Sequence, residues 1–152
     1  MRAFPGLRTA FLLWFLAAAT AGGCDATGPS GAAPATSPAF FVGPQWSALA
    51  IRGLAVPPDT PVTLRFTADR VSGTGPCNSF GGGYRFDGGS GRIVFDQLAS
   101  TLRGCVDENR TAIDTSFFQA LSHADRLFLD PDGRLHLTGP AGEVVLAKLV
   151  EG

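Results

Sequence analysis

Apolar and polar positions alternate along most of the chain beyond residue 60. Val62, Leu64 and Phe66 share one face, and Thr63, Arg65 and Thr67 share the other. That period of two fits a strand with one face on a core. Tyr84 and Phe86 alternate with Arg85 and Asp87, and Leu127 and Leu129 flank Phe128. Leu135 and Leu137 alternate with His136 and Thr138, and Val144 and Leu146 with Val145 and Ala147. Turn-forming clusters separate these runs at residues 57–59, 87–89, 130–133 and 139–142. Short strands at such spacing predict an antiparallel sheet that curls into a partly open barrel.

One segment follows a different period. Between Asp107 and about Ala124, the residues Ile113, Phe117, Ala120, Leu121 and Ala124 fall on one helical stripe. Asp107 is placed to cap the start, and Glu108 suits the positive end of the helix dipole. The stripe has only the apolar face of the sheet to bury against. The expected class is therefore α+β: a curled antiparallel sheet packed on one amphipathic helix.

The first residues follow neither pattern. Arg2 and Arg8 precede an uncharged apolar run at 10–19. The run is shorter than the roughly 20 residues of a membrane-spanning helix and has the form of a secretory signal. It ends in Ala21-Gly22-Gly23 before Cys24, which looks like a bacterial lipobox. We expect a signal peptide at 1–23 and a diacylated Cys24 that anchors the chain to a membrane. An ordinary signal peptide followed by a cysteine is the alternative. Residues 24–43 are rich in Ala, Gly, Pro and Ser and read as a flexible tether, with the folded domain at 44–152. The expected location is the bacterial cell envelope, the domain facing the periplasm or the exterior.

Composition narrows the partners. Twelve basic side chains nearly balance thirteen acidic ones, so there is no basic face for nucleic acid and no polybasic membrane patch. Without Arg2 and Arg8 the side-chain charge is near −3. The chain is expected to be a monomeric domain. Its protein partner, or a small apolar ligand, is not identifiable from sequence.

Acylation of Cys24 leaves Cys77 and Cys105 as an even pair in an exported chain, where disulfides persist. A bridge would close a loop of about 28 residues, worth about 3.5 kcal/mol in the chain-entropy picture. Two buried thiols are the alternative. Zinc spacing is missing, because there is no CxxC and the two histidines are scattered.

Other candidate chemistry reads as structural. Cys77-Asn78 has no nearby base in sequence to make a thiolate. Asn78 is expected to serve its own turn, and Tyr84 to sit half-buried in the sheet. His123 falls near the helix end, and His136 is expected to face solvent without a carboxylate partner. Residues 130–133 read as a hairpin turn rather than a calcium loop. The segment from Gly73 to Asn78 lacks the third glycine and the lysine of a phosphate loop. We expect no catalytic residue set and no cofactor.

The residues around the cysteines resemble the META domain family, the HslJ-like bacterial lipoproteins. The family's opening WxLxxIxG-like strand has its counterpart at Trp46, Ile51 and Gly53. Its GCNxxxGxY motif is matched by Cys77, Asn78, Gly82 and Tyr84, with Pro76 in place of the first glycine. Its STxMAC segment is matched by Ser100, Thr101 and Cys105, with Arg103-Gly104 in place of Met-Ala. Leu135, Leu137 and Gly142 resemble the closing strands. The resemblance spans residues 46–146 and implies a small α+β fold of an envelope or stress-associated protein. It implies no reaction. The function expected is a non-catalytic, membrane-anchored binding or scaffolding module. The alternative is a carrier holding a small apolar ligand between sheet and helix, with a hydrolase behind both.

Overall fold

The computed structural model describes residues 38–149. The signal-peptide and Cys24 expectations, and most of the tether, lie outside these residues. Nine strands and one helix follow a single 3₁₀ turn at Pro38–Phe40. The strands are β1 (Gln45–Ile51), β2 (Leu54–Ala55), β3 (Thr63–Phe66), β4 (Arg70–Thr74), β5 (Ser79–Asp87) and β6 (Arg92–Ser100). After helix α1 (Glu108–Ser122) come β7 (Arg126–Leu129), β8 (Leu135–Gly139) and β9 (Gly142–Lys148).

Every strand pairs antiparallel with its neighbour, and β9 pairs back onto β1. Eight strands thus close a barrel, one step further than the partly open sheet expected from the pattern. The two-residue β2 adds to the end of a β1 edge whose first half is taken by β3. Closure leaves no long free edge except at one seam: β6 meets β7 only through Arg92 and Arg126. The connection between these two strands carries α1.

The alternating residues fill the interior. Val62, Leu64, Phe66, Leu135, Leu137, Val144 and Leu146 are all fully buried. The helix stripe joins them through Phe117, Ala120, Leu121 and Ala124, with Ile113 at its margin. Asp107 caps α1 as expected: its side chain accepts from the backbone N–H of Arg110 at 2.9 Å. Leu129 departs from the pattern and is exposed, because β7 runs past its last partner on the β6 side.

The folded part starts earlier than residue 44. Phe41 is fully buried, in edge-on contact with Phe66 and Phe86 at 4.9 and 5.0 Å. Trp46 Nε1 donates to the carbonyl of Phe41 at 3.0 Å. Two aromatic rings at the end of an Ala/Pro segment belong to the core rather than to the tether.

Candidate functional site

Four of the motif residues, Cys77, Asn78, Thr101 and Cys105, gather where the β4–β5 turn, the segment after β6 and the start of α1 meet. Cys77 and Cys105 are joined by a disulfide, with Cα atoms 5.4 Å apart. That separation lies in the ordinary range for such a bridge. The residue beside it, Asn78, is a hub. Its Oδ1 accepts from Thr101 Oγ1 at 2.9 Å and from the Arg103 backbone N–H at 2.7 Å. Its Nδ2 donates to Asp114 Oδ2 at 2.7 Å and to the Arg103 carbonyl at 3.2 Å. Asn78 was expected to serve its own turn. It instead ties three separate segments together, which no local spacing could reveal.

Asp114 is the member that sequence reasoning missed. It lies on α1, and its Oδ1 accepts from the backbone N–H groups of Cys77 and Asn78 at 3.3 and 3.2 Å. A carboxylate on the polar side of an amphipathic helix looks like solvent-facing charge. The fold makes room for it at Gly75, where a Cβ would run into Asp114 Oδ1. Thr101 completes the cluster by accepting from the Ser79 backbone N–H at 3.1 Å. The side chain of Arg103 stays exposed, because the fold uses only its backbone here.

The remaining motif residues act elsewhere. Tyr84 is more buried than expected, and its hydroxyl donates to the Thr67 carbonyl at 2.6 Å across the β3–β4 turn. Burial, and secondarily the charge of Asp69, pushes this phenol upward, so it remains a donor. Gly82 lies where β6 bulges against β5. A Cβ there would stand 2.9 Å from the Asp96 carbonyl. Thus Trp46, Asn78, Gly82, Tyr84 and Thr101 each have a structural task.

His136 corrects a second expectation. It does not face solvent. Its Nδ1 meets Glu143 Oε1 at 2.7 Å and its Nε2 meets Asp130 Oδ2 at 3.1 Å. Phe128 stacks flat on the imidazole, with ring centres 4.8 Å apart. Burial alone would lower its pKa, but the hydrogen bonds to Glu143 and Asp130, with their charges, outweigh it and raise the net value. Asp130 also accepts from the Arg134 backbone N–H, the bond of the hairpin turn expected there. His123 also has partners: its Nδ1 lies 3.1 Å from Ser122 Oγ and 2.9 Å from the Gln119 carbonyl at the exposed end of α1. Among the described residues no cluster of His, Cys, Asp and Glu is arranged to hold a metal ion.

Two concave regions bear on ligands. The cleft between α1 and the β1–β2 turn encloses about 80 Å³. A larger groove of about 830 Å³ runs between the 3₁₀ turn, the β5–β6 turn and β7.

Among curated proteins, none matches this chain. Two solved structures share its fold. One is a protein of Burkholderia xenovorans solved by NMR, 21% identical with a TM-score of 0.58, covering 74% of this chain and 86% of that one. The other is a DUF4847 family protein from Bacteroides vulgatus, 14% identical with a TM-score of 0.55, covering 76% and 99%. The META domain family matches residues 40–151, which takes in every strand, the helix and the Cys77–Asn78 cluster. The chain belongs to the META domain family.

Proposed function

We propose that this protein is a non-catalytic envelope lipoprotein, a rigid META module held to a membrane by acyl chains on Cys24. One observation carries the non-catalytic part: the motif residues spend their polar atoms on the fold. Cys77 is in a disulfide and has no thiol to activate. Asn78, Thr101 and Asp114 satisfy one another and the backbone. The disulfide also favours an exported location, since such bonds persist outside the reducing cytosol. Arg2, Arg8, the apolar run and Cys24 then supply the signal and the anchor. Two acyl chains hold such a protein stably at a bilayer, where one holds it marginally.

The test is detergent-phase partitioning of the protein expressed in its own host. The wild type is expected in the detergent phase, and Cys24→Ser in the aqueous phase or uncleaved. A Cys24→Ser protein that is processed and still membrane-bound would sink the anchor. Broad substrate profiling that finds turnover abolished by Asp114→Ala, with the fold intact, would sink the non-catalytic reading.

The carrier reading needs a different place from the one expected. Phe117, Ala120 and Leu121 fill the space between sheet and helix, and the 80 Å³ cleft beside them is far below the roughly 300–1,000 Å³ of ligand pockets.

A further inference from the structure

The strap between β6 and α1 has a two-residue rhythm of its own. Thr101, Arg103, Cys105 and Asp107 are each tied to the fold. Thr101 Oγ1 and the Arg103 backbone N–H donate to Asn78 Oδ1, Cys105 is bridged to Cys77, and Asp107 caps α1. The residues between them are left in water: Leu102 is 100% and Val106 107% exposed. A single exposed aliphatic side chain is ordinary. Two on one strap held at four points are a different matter, because ordering the strap costs entropy and buries neither of them. A strap already rigid loses little further freedom when it docks.

A hole that suits these knobs lies on the same molecule. The cleft of about 80 Å³ is walled by Ile51, Leu54, Val56, Ala112 and Ile113, with Ser116 its one polar lining residue. Leu54 on its rim is 76% exposed. The cleft is too small for an ordinary ligand and has the size and character to take a branched aliphatic side chain. Leu102 and Val106 do not enter the cleft of their own chain, since both are fully exposed. Two observations point to a second copy as the occupant. The first is area. The strap ends at the cap of α1, and the cleft lies along the first turns of that helix. A rise of about 1.5 Å per residue sets Glu108 and Ser116 about 12 Å apart. A standard interface covers about 800 Å² of each partner, enough to take in knob and hole together. The second is charge. Arg103 on the strap and Glu108 on the first turn of α1 are exposed, and neither has an ion-pair partner among the described residues. A strap laid over the start of a partner's α1 brings these opposite charges together.

We infer that the protein forms a two-fold dimer in which Leu102 and Val106 of each copy cover the cleft at Ile51, Leu54 and Ile113 of the other. The contact is reciprocal, so it closes on two chains and leaves no knob or hole to propagate. It departs from the monomer expected from sequence, because neither strap nor cleft has a local signature. It goes beyond the lipoprotein reading and does not depend on Cys24.

The full chain, purified from its own envelope, is sedimented in density-matched detergent from micromolar to submillimolar concentration. A reversible dimer is expected. Leu102→Glu and Leu54→Glu should each raise its dissociation constant about tenfold or more. Their thermal midpoints should stay unchanged at dilutions where the chain is monomeric, because both side chains are exposed in the single chain. Mixing Leu102→Lys chains with Leu54→Glu chains should restore the dimer, with opposite charges meeting at one contact and the native pair at the other. A photocrosslinking residue at position 102, in a mixture of light and heavy-isotope chains, should join the 51–56 or 112–116 segment of the other copy. A monomer at every concentration overturns the inference, as does a dimer that neither glutamate weakens or a mixture no tighter than either variant alone. Crosslinks from position 102 only to lipid, to another protein or within its own chain overturn it too. The anchor is judged separately, by the partitioning of Cys24→Ser.

Discussion

Asn78 carries more of the fold than its size suggests. Four hydrogen bonds converge on its amide, and all four cross more than twenty residues of chain. Asn78→Ala would strand the Thr101, Arg103 and Asp114 groups it satisfies. We expect a loss of about 2–3 kcal/mol, read by urea denaturation. Asn78→Asp should be at least as damaging, because it sets a second carboxylate against Asp114 and removes the donor. If both variants unfold like wild type, the hub has no weight. His136 gives a prediction with a sign. Its folded pKa is raised, so it binds a proton more tightly folded than unfolded. The stability it adds is full below the unfolded value near 6.5 and fades as pH rises through the higher folded value. NMR titration should find the His136 midpoint above 6.5, and His136→Gln should flatten that part of the stability–pH curve. A midpoint below 6.5 would contradict the carboxylate sandwich. Neither residue's role was legible in the sequence. A period of two says which face a residue takes, and says nothing of what it meets there.

At the scale of elements, the strongly periodic segments were legible and the irregular ones were not. The burial of Val62, Leu64 and Phe66, and of the α1 stripe, follows from spacing alone. Strand β6 does not show such spacing. Ile93, Val94 and Phe95 are consecutive apolar residues, and Gln97 takes a left-handed backbone at φ 50° where the strand bulges opposite Gly82. A bulge adds a residue and breaks the alternation that would have revealed the strand. The helix acts as the plug of the barrel. Phe117 packs edge-on to Phe80 with ring centres 5.4 Å apart and is itself 1% exposed. Phe117→Ala is expected to cost about 3–5 kcal/mol and Asp107→Ala about 1 kcal/mol, both by thermal or chemical unfolding. A Phe117→Ala cost below that of the cap would mean that α1 is peripheral to the core. Reduction of Cys77–Cys105 should lower stability by about 3.5 kcal/mol without abolishing the barrel, since closure through β1 and β9 lies elsewhere.

For the whole molecule, the described residues form a closed barrel whose motif residues serve stability, and the exported, acylated start is our proposal for the residues before it. The barrel's order was legible from strand spacing and turns. Its closure was not, because the pairing of β1 with β9 joins the two ends of the domain, a contact with no local signature. The placement of the first core residue was misread for a related reason. Phe40 and Phe41 follow a Pro-rich stretch whose composition hides two aromatic anchors. The groove beside β7 was invisible for the same reason as the hub, since Phe40, Gly89 and Leu129 come together only in the fold. The measurement that bears most directly on this account is the intact mass of the protein recovered from its own envelope, with and without reductant. A chain beginning at Cys24, carrying acyl glycerol there and gaining two hydrogens on reduction, is the predicted result. An unacylated amino terminus, or a mass that reductant leaves unchanged, would contradict it.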